Sequence, residues 1–171
     1  MTAKLCFVKV REDSYAEVFS LDSNYSIDHS HVEELERLLR RISSIIKRRG
    51  RDILTDFKIT PPQFNALLVL RKNGEMTIGE LGEKMYLACS TATDLVDRME
   101  RNGLVSRVRD TKDRRVIRVR VLEKGNQMVD EVMTARINYL EGVLKQVKLD
   151  DCQAMIKSMS LLYELMKDVV K

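Results

Sequence analysis

The sequence predicts a mostly α-helical protein with one globular unit and a single β-hairpin. Its 171 residues are 44% apolar, which is enough for one domain with a buried core. Charged residues make up 33% of the chain, and it contains only seven glycines and two prolines, a composition that favours helices over a β-sandwich or barrel. Apolar residues recur at helical spacing over most of the chain, and strand-like alternation replaces that spacing within the stretches "LVSRVR" and "VIRVRV".

A long helix is predicted after an N-terminal arm. Residues 1–27 lack sustained periodicity, and the apolar "LCFVKV" within them favours packing over full disorder. Residues 28–58 carry one apolar stripe at helical spacing, interrupted by "KRRGR". The stripe consists of Val32, Leu35, Leu38, Leu39, Ile42, Ile45, Ile46, Ile53 and Leu54.

Capping residues predict the next two helix starts. Thr60 is followed by a proline and, three residues on, by Gln63, so a second helix should run from there to about Lys72. Thr77 and Glu80 repeat the pattern before a third helix of about two turns. These residues satisfy backbone amides that have no partner inside the helix.

A fourth helix is predicted in "STATDLVDRMERNGL", with Gly103 as its stop. A short helix, a tight turn and a second helix are typical of a helix-turn-helix, whose second helix enters the major groove of DNA. A polar outward face is equally typical of a solvated surface helix, and the pattern by itself leaves both interpretations open. The outward face carries Ser90, Thr91, Thr93, Asp94, Asp97, Arg98 and Arg101.

The following hairpin favours nucleic acid. From Arg98 to Arg120 there are nine basic and three acidic residues, although the whole chain has a net charge of only +4. In the second strand, Ile117, Val119 and Val121 should face inward while Arg118 and Arg120 face outward. The predicted DNA-contacting residues of the hairpin are Arg107, Arg109, Lys112, Asp113, Arg114, Arg115 and Arg118.

The hairpin tip "DTKDRR" combines acids with arginines. Guanidinium groups suit the narrow, electronegative minor groove, so the tip is expected to enter a minor groove beside the helix. Asp113 is expected to accept hydrogen bonds from Arg115 and to hold its side chain extended. Asp110 is expected to cap the turn.

Four stretches in this order resemble the MarR family of bacterial winged-helix regulators: "ITPPQFNALLVL", "TIGELGEKM", "STATDLVDRMERNGLVSRVRD" and "KDRRVIRVRVLEKG". The likeness covers roughly residues 30–171, and the family's wing pattern falls on Asp110, Asp113 and Arg115. It implies a winged helix-turn-helix over residues 59–123. It also implies a homodimer on inverted-repeat operators in double-stranded DNA, with repression relieved by a small ligand or by cysteine oxidation.

The same resemblance assigns residues 28–58 and 124–171 to dimerisation helices. Two C-terminal stripes agree with this, although periodicity alone would make a monomeric core the default interpretation. The first contains Val129, Val132, Met133, Leu140, Val143, Leu144 and Val147; the second contains Met155, Ile156, Met159, Leu162, Leu165, Met166 and Val169. Asp150 with Gln153 is expected to start the last helix. Where relatives have a capping threonine before "EKG", this chain has Leu122, so that helix should lack a side-chain cap.

Other function classes are disfavoured. There is no glycine-rich phosphate loop or nucleophile motif and only two histidines, so we expect no enzyme, no cofactor and no metal site. Three cysteines without paired spacing and no long apolar run indicate a cytoplasmic protein without a membrane segment. Two alternatives remain: a winged helix that contacts only proteins, and a redox-switched repressor. For the latter, Cys89 at the start of the fourth helix is the candidate, although burial as a small apolar residue is favoured.

Overall fold

The computed structural model describes residues 27–169, which form helices and three short β-strands in the order expected of a winged helix-turn-helix. The helices are α1 (His29–Asp56), α2 (Pro61–Asn73), α3 (Ile78–Met85), α4 (Cys89–Arg101), α5 (Glu123–Leu144) and α6 (Leu149–Val169), and the strands are β1 (Met76–Thr77), β2 (Val105–Arg109) and β3 (Ile117–Val121). The chain divides after Ser44 into two compact units, each of which is described by itself. The predicted N-terminal arm lies outside the described residues except for Ile27.

The described part of the first unit contains the beginning of α1. Its polar face is stabilised by pairs one turn apart, Glu34 with Arg37 and Glu36 with Arg40. The apolar side chains of the predicted stripe remain accessible. Val32, Leu35, Leu38 and Ile42 are each between 40% and 51% exposed.

The predicted starts of α2 and α3 and the predicted end of α4 are confirmed. The Gln63 side chain accepts from the backbone N–H of Thr60 at 3.0 Å. At the next start, the Thr77 hydroxyl accepts from the Glu80 N–H while the Glu80 carboxylate accepts from the Thr77 N–H. Gly103 follows α4 with a φ of +68°, the left-handed conformation that ends a helix.

The sheet has the order β1-β3-β2 and is antiparallel throughout. The hairpin of β2 and β3 was expected, and its register pairs Val105 with Val121 and Arg109 with Ile117. Strand β1 was not predicted because two residues show no alternation. It joins the sheet through Met76, which pairs with Val119 and is buried.

The core lies where α2, α3, α4, α5 and the sheet meet. Its fully buried side chains include Leu67, Leu81, Met99, Val119 and Val132. Gly125, in the first turn of α5, lets that helix approach the sheet closely, because a Cβ at this position would lie 2.4 Å from the Leu104 carbonyl oxygen. The start of α5 at Leu122 has no side-chain cap, as expected from the leucine there.

Two local expectations were wrong. Ile117, expected to face inward, is 40% exposed because the hairpin tip projects beyond the core. Asp150 was expected to cap the last helix, but α6 begins one residue earlier at Leu149 and places Asp150 inside the first turn. Among the helices of residues 27–169, none combines the length and apolarity that a bilayer span requires.

Candidate DNA interface and effector cavity

Helix α4 presents a polar face after the tight turn that follows α3. Its N-cap is Ala88, which contributes no side-chain hydrogen bond, so the first amides of the helix lack a side-chain partner from this residue. Ser90, Thr91, Asp94 and Arg98 are all exposed. Neighbouring turns of one helix therefore carry hydroxyl, carboxylate and guanidinium groups of the kinds that contact base edges and phosphates.

Several members of the predicted set are engaged within the chain, among them Thr93, Asp97 and Arg98, whose Nε donates to the Asp94 carbonyl at 3.3 Å. The Thr93 hydroxyl donates to the Cys89 carbonyl at 2.9 Å, which leaves its oxygen only as an acceptor for other groups. Asp97 forms an ion pair with Arg107 of β2. The residues that remain available on α4 are thus mainly those of its N-terminal half.

The hairpin tip is ordered by Asp110. Its carboxylate accepts from the N–H groups of Lys112 and Asp113 at 2.7 and 3.1 Å and pairs with Arg118, which confirms the expected cap. The hydrogen bond from Arg118, followed by those from the two backbone amides, lowers the pKa of Asp110 from 3.8 to about 2. The stability that this carboxylate contributes is complete above pH 3.8 and is lost as the pH falls toward 2.

Arg115 is held extended by Asp113, as expected. The two hydrogen bonds between the Arg115 guanidinium and the Asp113 carboxylate are both 3.1 Å long, and the Arg115 N–H donates to the same carboxylate at 3.0 Å. The Arg115 side chain is 91% exposed and projects from the tip, whereas that of Asp113 is 45% exposed. This bidentate arrangement restricts a long side chain without covering it.

The other basic residues of the wing fall into two groups. Arg109, Lys112 and Arg114 are exposed, and the described residues provide no ion pair for them. Arg107 and Arg118, also predicted to contact DNA, are partly buried and paired: Arg107 with two acids of α4, and Arg118 with Asp110 and, at 3.5 Å, Glu80. These acids are distant in sequence, so strand alternation did not reveal the pairs.

The expectation that Cys89 is buried was wrong. Its side chain is exposed at the first residue of α4, because the turn before it projects from the protein. Nearby Tyr86 is 97% exposed and adopts a left-handed conformation with a φ of +55°. Cys89 is therefore accessible to solvent, and a redox role for it stays an alternative to release by a small ligand.

A cavity of about 590 Å³ lies beside the core, between α1, the start of α2 and α5. Its volume lies within the range of small-molecule sites, and its walls are mainly apolar. Sequence reasoning did not identify it, because its residues come from three separated segments. The lining residues are Ile46, Lys47, Arg49, Gly50, Arg51, Ile53, Leu54, Pro61, Arg136, Tyr139 and Leu140.

Two guanidinium groups of the cavity stack on aromatic rings. The Arg136 Cζ atom lies 4.9 Å from the ring centroid of Phe64, and the Arg49 Cζ atom lies 5.3 Å from that of Tyr139. The Nε of Arg136 is buried and has no hydrogen-bond partner within the described chain. A buried N–H of a charged group without an acceptor is costly, and a bound acceptor would remove that cost.

Comparison with known proteins identifies the family. The MarR family profile matches residues 59–117. The HTH-type transcriptional regulator YsmB of Bacillus subtilis is 48% identical over 137 residues, which span 80% of this chain and 94% of the relative. The HTH-type transcriptional repressor MdtR of the same organism is 36% identical over 78 residues, or 46% of this chain and 50% of that protein.

A solved structure agrees with this chain over most of its length. The structure of a MarR family protein from Bacillus stearothermophilus has a TM-score of 0.73 and 48% identity, and the match covers 83% of this chain and 99% of that one. Its likeness includes the helices that flank the helix-turn-helix and the wing. The chain therefore belongs to the MarR family and is a DNA-binding transcriptional regulator with a winged helix-turn-helix.

Proposed function

We propose that the protein is a cytoplasmic repressor that binds an inverted-repeat operator as a homodimer and releases it when a small ligand binds. The observation that carries the DNA contact is the exposed, preorganised Arg115 beside the exposed polar face of α4. Helix α4 enters the major groove, and the tip of the wing enters the adjacent minor groove. Repression is supported by the likeness to MdtR, a named repressor.

The homodimer is supported by apolar side chains that one chain leaves in contact with solvent. On α5, Ile137, Leu140 and Val143 are each more than half exposed. On α6 the exposed set comprises Leu149, Met155, Ile156, Met159, Leu161, Tyr163, Leu165 and Met166. Exposed apolar surface on this scale is typical of an interface, and a two-fold dimer presents two copies of α4 to two half-sites.

Selection of duplexes from a random pool tests this proposal. The recovered sequences are expected to contain an inverted repeat, and sedimentation is expected to find two chains on each duplex.

Replacing Ser90 or Asp94 with alanine should change the selected bases, because these side chains reach base edges. Replacing Arg109 with alanine should weaken all duplexes about equally, because a phosphate contact carries no sequence information. A single half-site, or the same preference in every variant, would contradict the proposal.

The effector site that we propose is the cavity between α1, α2 and α5, and its ligand is a planar aromatic carboxylate. The apolar walls and two stacked guanidinium groups suit a flat ring with one negative charge. A carboxylate would accept from the buried Nε of Arg136, which lacks a partner. An arginine fork matches carboxylate geometry better than it matches a neutral amide.

The cavity is connected to the DNA-binding helices through α2. Arg136 stacks on Phe64 of α2, and α2 packs against both α3 and α4. A ligand that draws Arg136 toward itself changes its contact with Phe64. That change favours a different position of α2 and hence of α4. The ligand then has a higher affinity for the conformation that does not bind DNA than for the one that does, and release of DNA requires this difference.

A matched pair of probes tests the effector proposal. Benzoate and 2-naphthoate are expected to displace a labelled operator in an anisotropy titration, whereas benzamide, with the shape of benzoate but no charge, should not. Arg136→Met should raise the concentration needed by about tenfold or more, since a hydrogen bond between charged groups contributes about 1.5 to 3 kcal/mol.

Two control variants show whether the release of DNA by benzoate depends on the cavity. Arg71→Met removes an equal charge from an exposed pair with Asp130, outside the cavity, and should leave the response unchanged. Gly50→Leu fills the cavity, because a Cβ there meets only Arg136 at 3.7 Å, and should abolish the response while operator binding persists. Release by benzamide at benzoate concentrations would contradict a carboxylate site, and release that requires Cys89 would favour the redox alternative.

A further inference from the structure

Helix α4 and strand β2 are joined by one arginine. The Arg107 side chain pairs with Asp97 through one terminal nitrogen and with Glu100 through the other. The Arg107 backbone N–H also donates to the Glu100 carboxylate at 2.8 Å. A single residue of the wing thus makes three polar contacts with the helix that contacts DNA.

The position of this cluster separates it from the exposed wing arginines. The Arg107 side chain is 28% exposed, and those of Asp97 and Glu100 are 48% and 37% exposed. Arg109, two residues along the same strand and therefore on the same face, is exposed and has no ion pair among the described residues. Arg107 and Arg109 thus share a strand and a face, but Arg107 pairs with acids of α4 whereas Arg109 faces solvent.

Asp97 and Glu100 would be unfavourable beside a DNA groove if they had no basic partner. Asp97 and Glu100 lie three residues apart on one face of α4, and two carboxylates near phosphates are repelled. Pairing with Arg107 neutralises much of this charge within the protein. A planar guanidinium can bridge two carboxylates with fixed geometry, whereas an ammonium acts as a single point charge.

We infer that Arg107 is a positioning residue rather than a phosphate contact: through Asp97 and Glu100 it sets the angle between α4 and the wing, so that both reach their grooves together. The inference rests on the DNA-binding function of the chain. An error in this angle forces either α4 or Arg115 out of its groove. Affinity for the operator therefore depends on a contact made entirely within the protein.

The salt dependence of operator affinity distinguishes the two roles. Arg107→Met is expected to weaken binding by about fivefold to tenfold with an unchanged slope of log affinity against log salt concentration. Arg109→Met, the matched control on the same strand, should reduce that slope by about 0.9, as loss of one phosphate contact requires. A similar fall in slope for Arg107→Met would overturn the inference.

Asp97 provides the second test. Asp97→Asn removes a negative charge close to DNA, and electrostatics alone predicts tighter binding. We expect weaker binding instead, and no further loss when Asp97→Asn is added to Arg107→Met, because the contact is already broken. Tighter binding, or an equal loss in both backgrounds, would contradict the positioning role and would favour direct contact of Asp97 with DNA.

Arg107→Lys separates charge from geometry. Lysine retains the charge, so a phosphate contact would survive, but it cannot bridge both acids in the same way. The positioning role predicts that this variant binds almost as weakly as Arg107→Met; affinity equal to that of the unaltered protein would overturn it. Melting temperatures accompany each measurement, and a loss of affinity that simply follows a fall in melting temperature would also count against the inference.

Discussion

Replacing Gly125 with alanine is expected to lower the free energy of unfolding by about 1 to 3 kcal/mol, because overpacking of a core against backbone is poorly relieved. The added Cβ would lie 2.4 Å from the Leu104 carbonyl oxygen and 2.8 Å from the Val121 Cγ1 atom. The Leu104 carbonyl accepts from the Leu122 N–H, so moving it away would weaken a hydrogen bond at the start of α5. Urea unfolding of the two proteins measures the difference.

Gly142 is the matched control in the same helix. Apart from the backbone of its own helix, a Cβ at Gly142 has no atom of the described residues within 4 Å. Alanine there should raise the free energy of unfolding by roughly 0.5 to 1 kcal/mol, since glycine is unfavourable inside a helix. If the two glycine-to-alanine substitutions change the free energy of unfolding in opposite directions, close packing at Gly125 is the cause of the loss there. If Gly125→Ala behaved like Gly142→Ala, α5 would not approach the sheet as closely as described.

Arg115→Ala is expected to weaken operator binding by roughly 1 to 3 kcal/mol, about 5- to 150-fold, while the fold stays intact. The side chain is 91% exposed, and its guanidinium pairs with Asp113 at the tip of the wing, so its removal costs the protein little stability. Arg114→Ala, at an exposed neighbour for which the described residues provide no ion pair, should have a smaller effect. A filter-binding or anisotropy titration at fixed salt measures each affinity.

Asp113→Asn tests whether orientation matters. The substitution removes a negative charge from the wing and disrupts the bidentate contact that holds Arg115, so weaker binding is expected despite the more favourable charge. In an Arg115→Ala background the same substitution should have no such cost. Tighter binding by Asp113→Asn in the otherwise unaltered protein would show that Asp113 does not act through Arg115.

Local signals predicted most of the fold. Capping residues such as Thr77 with Glu80, and the stop at Gly103, act within one helical turn and depend little on the rest of the chain. Alternation along β3 revealed the hairpin, and Val119 at the centre of the apolar face is buried. The wing pair of Asp113 and Arg115 was also predictable, since its two members are separated by a single residue.

Other features depended on segments that meet only after folding. Strand β1 is two residues long, and its pairing with β3 requires the chain to return over more than forty residues. Cys89 was expected to be buried because free cysteines in proteins usually are, but its exposure is decided by how the start of α4 packs against the rest of the protein. The cavity combines α1, α2 and α5, and no local spacing reveals such a combination.

By itself, the sequence determined the elements, their order and the positive wing, because helix caps, hydrophobic periodicity and net charge are properties of short segments. Only the tertiary structure decided which charges remain available. It paired Arg107 with Asp97 and Glu100 and Arg118 with Asp110, while Arg109 and Arg114 stayed exposed. The physical reason is that an ion pair requires two groups within about 4 Å, and for groups on different elements that distance is set by packing.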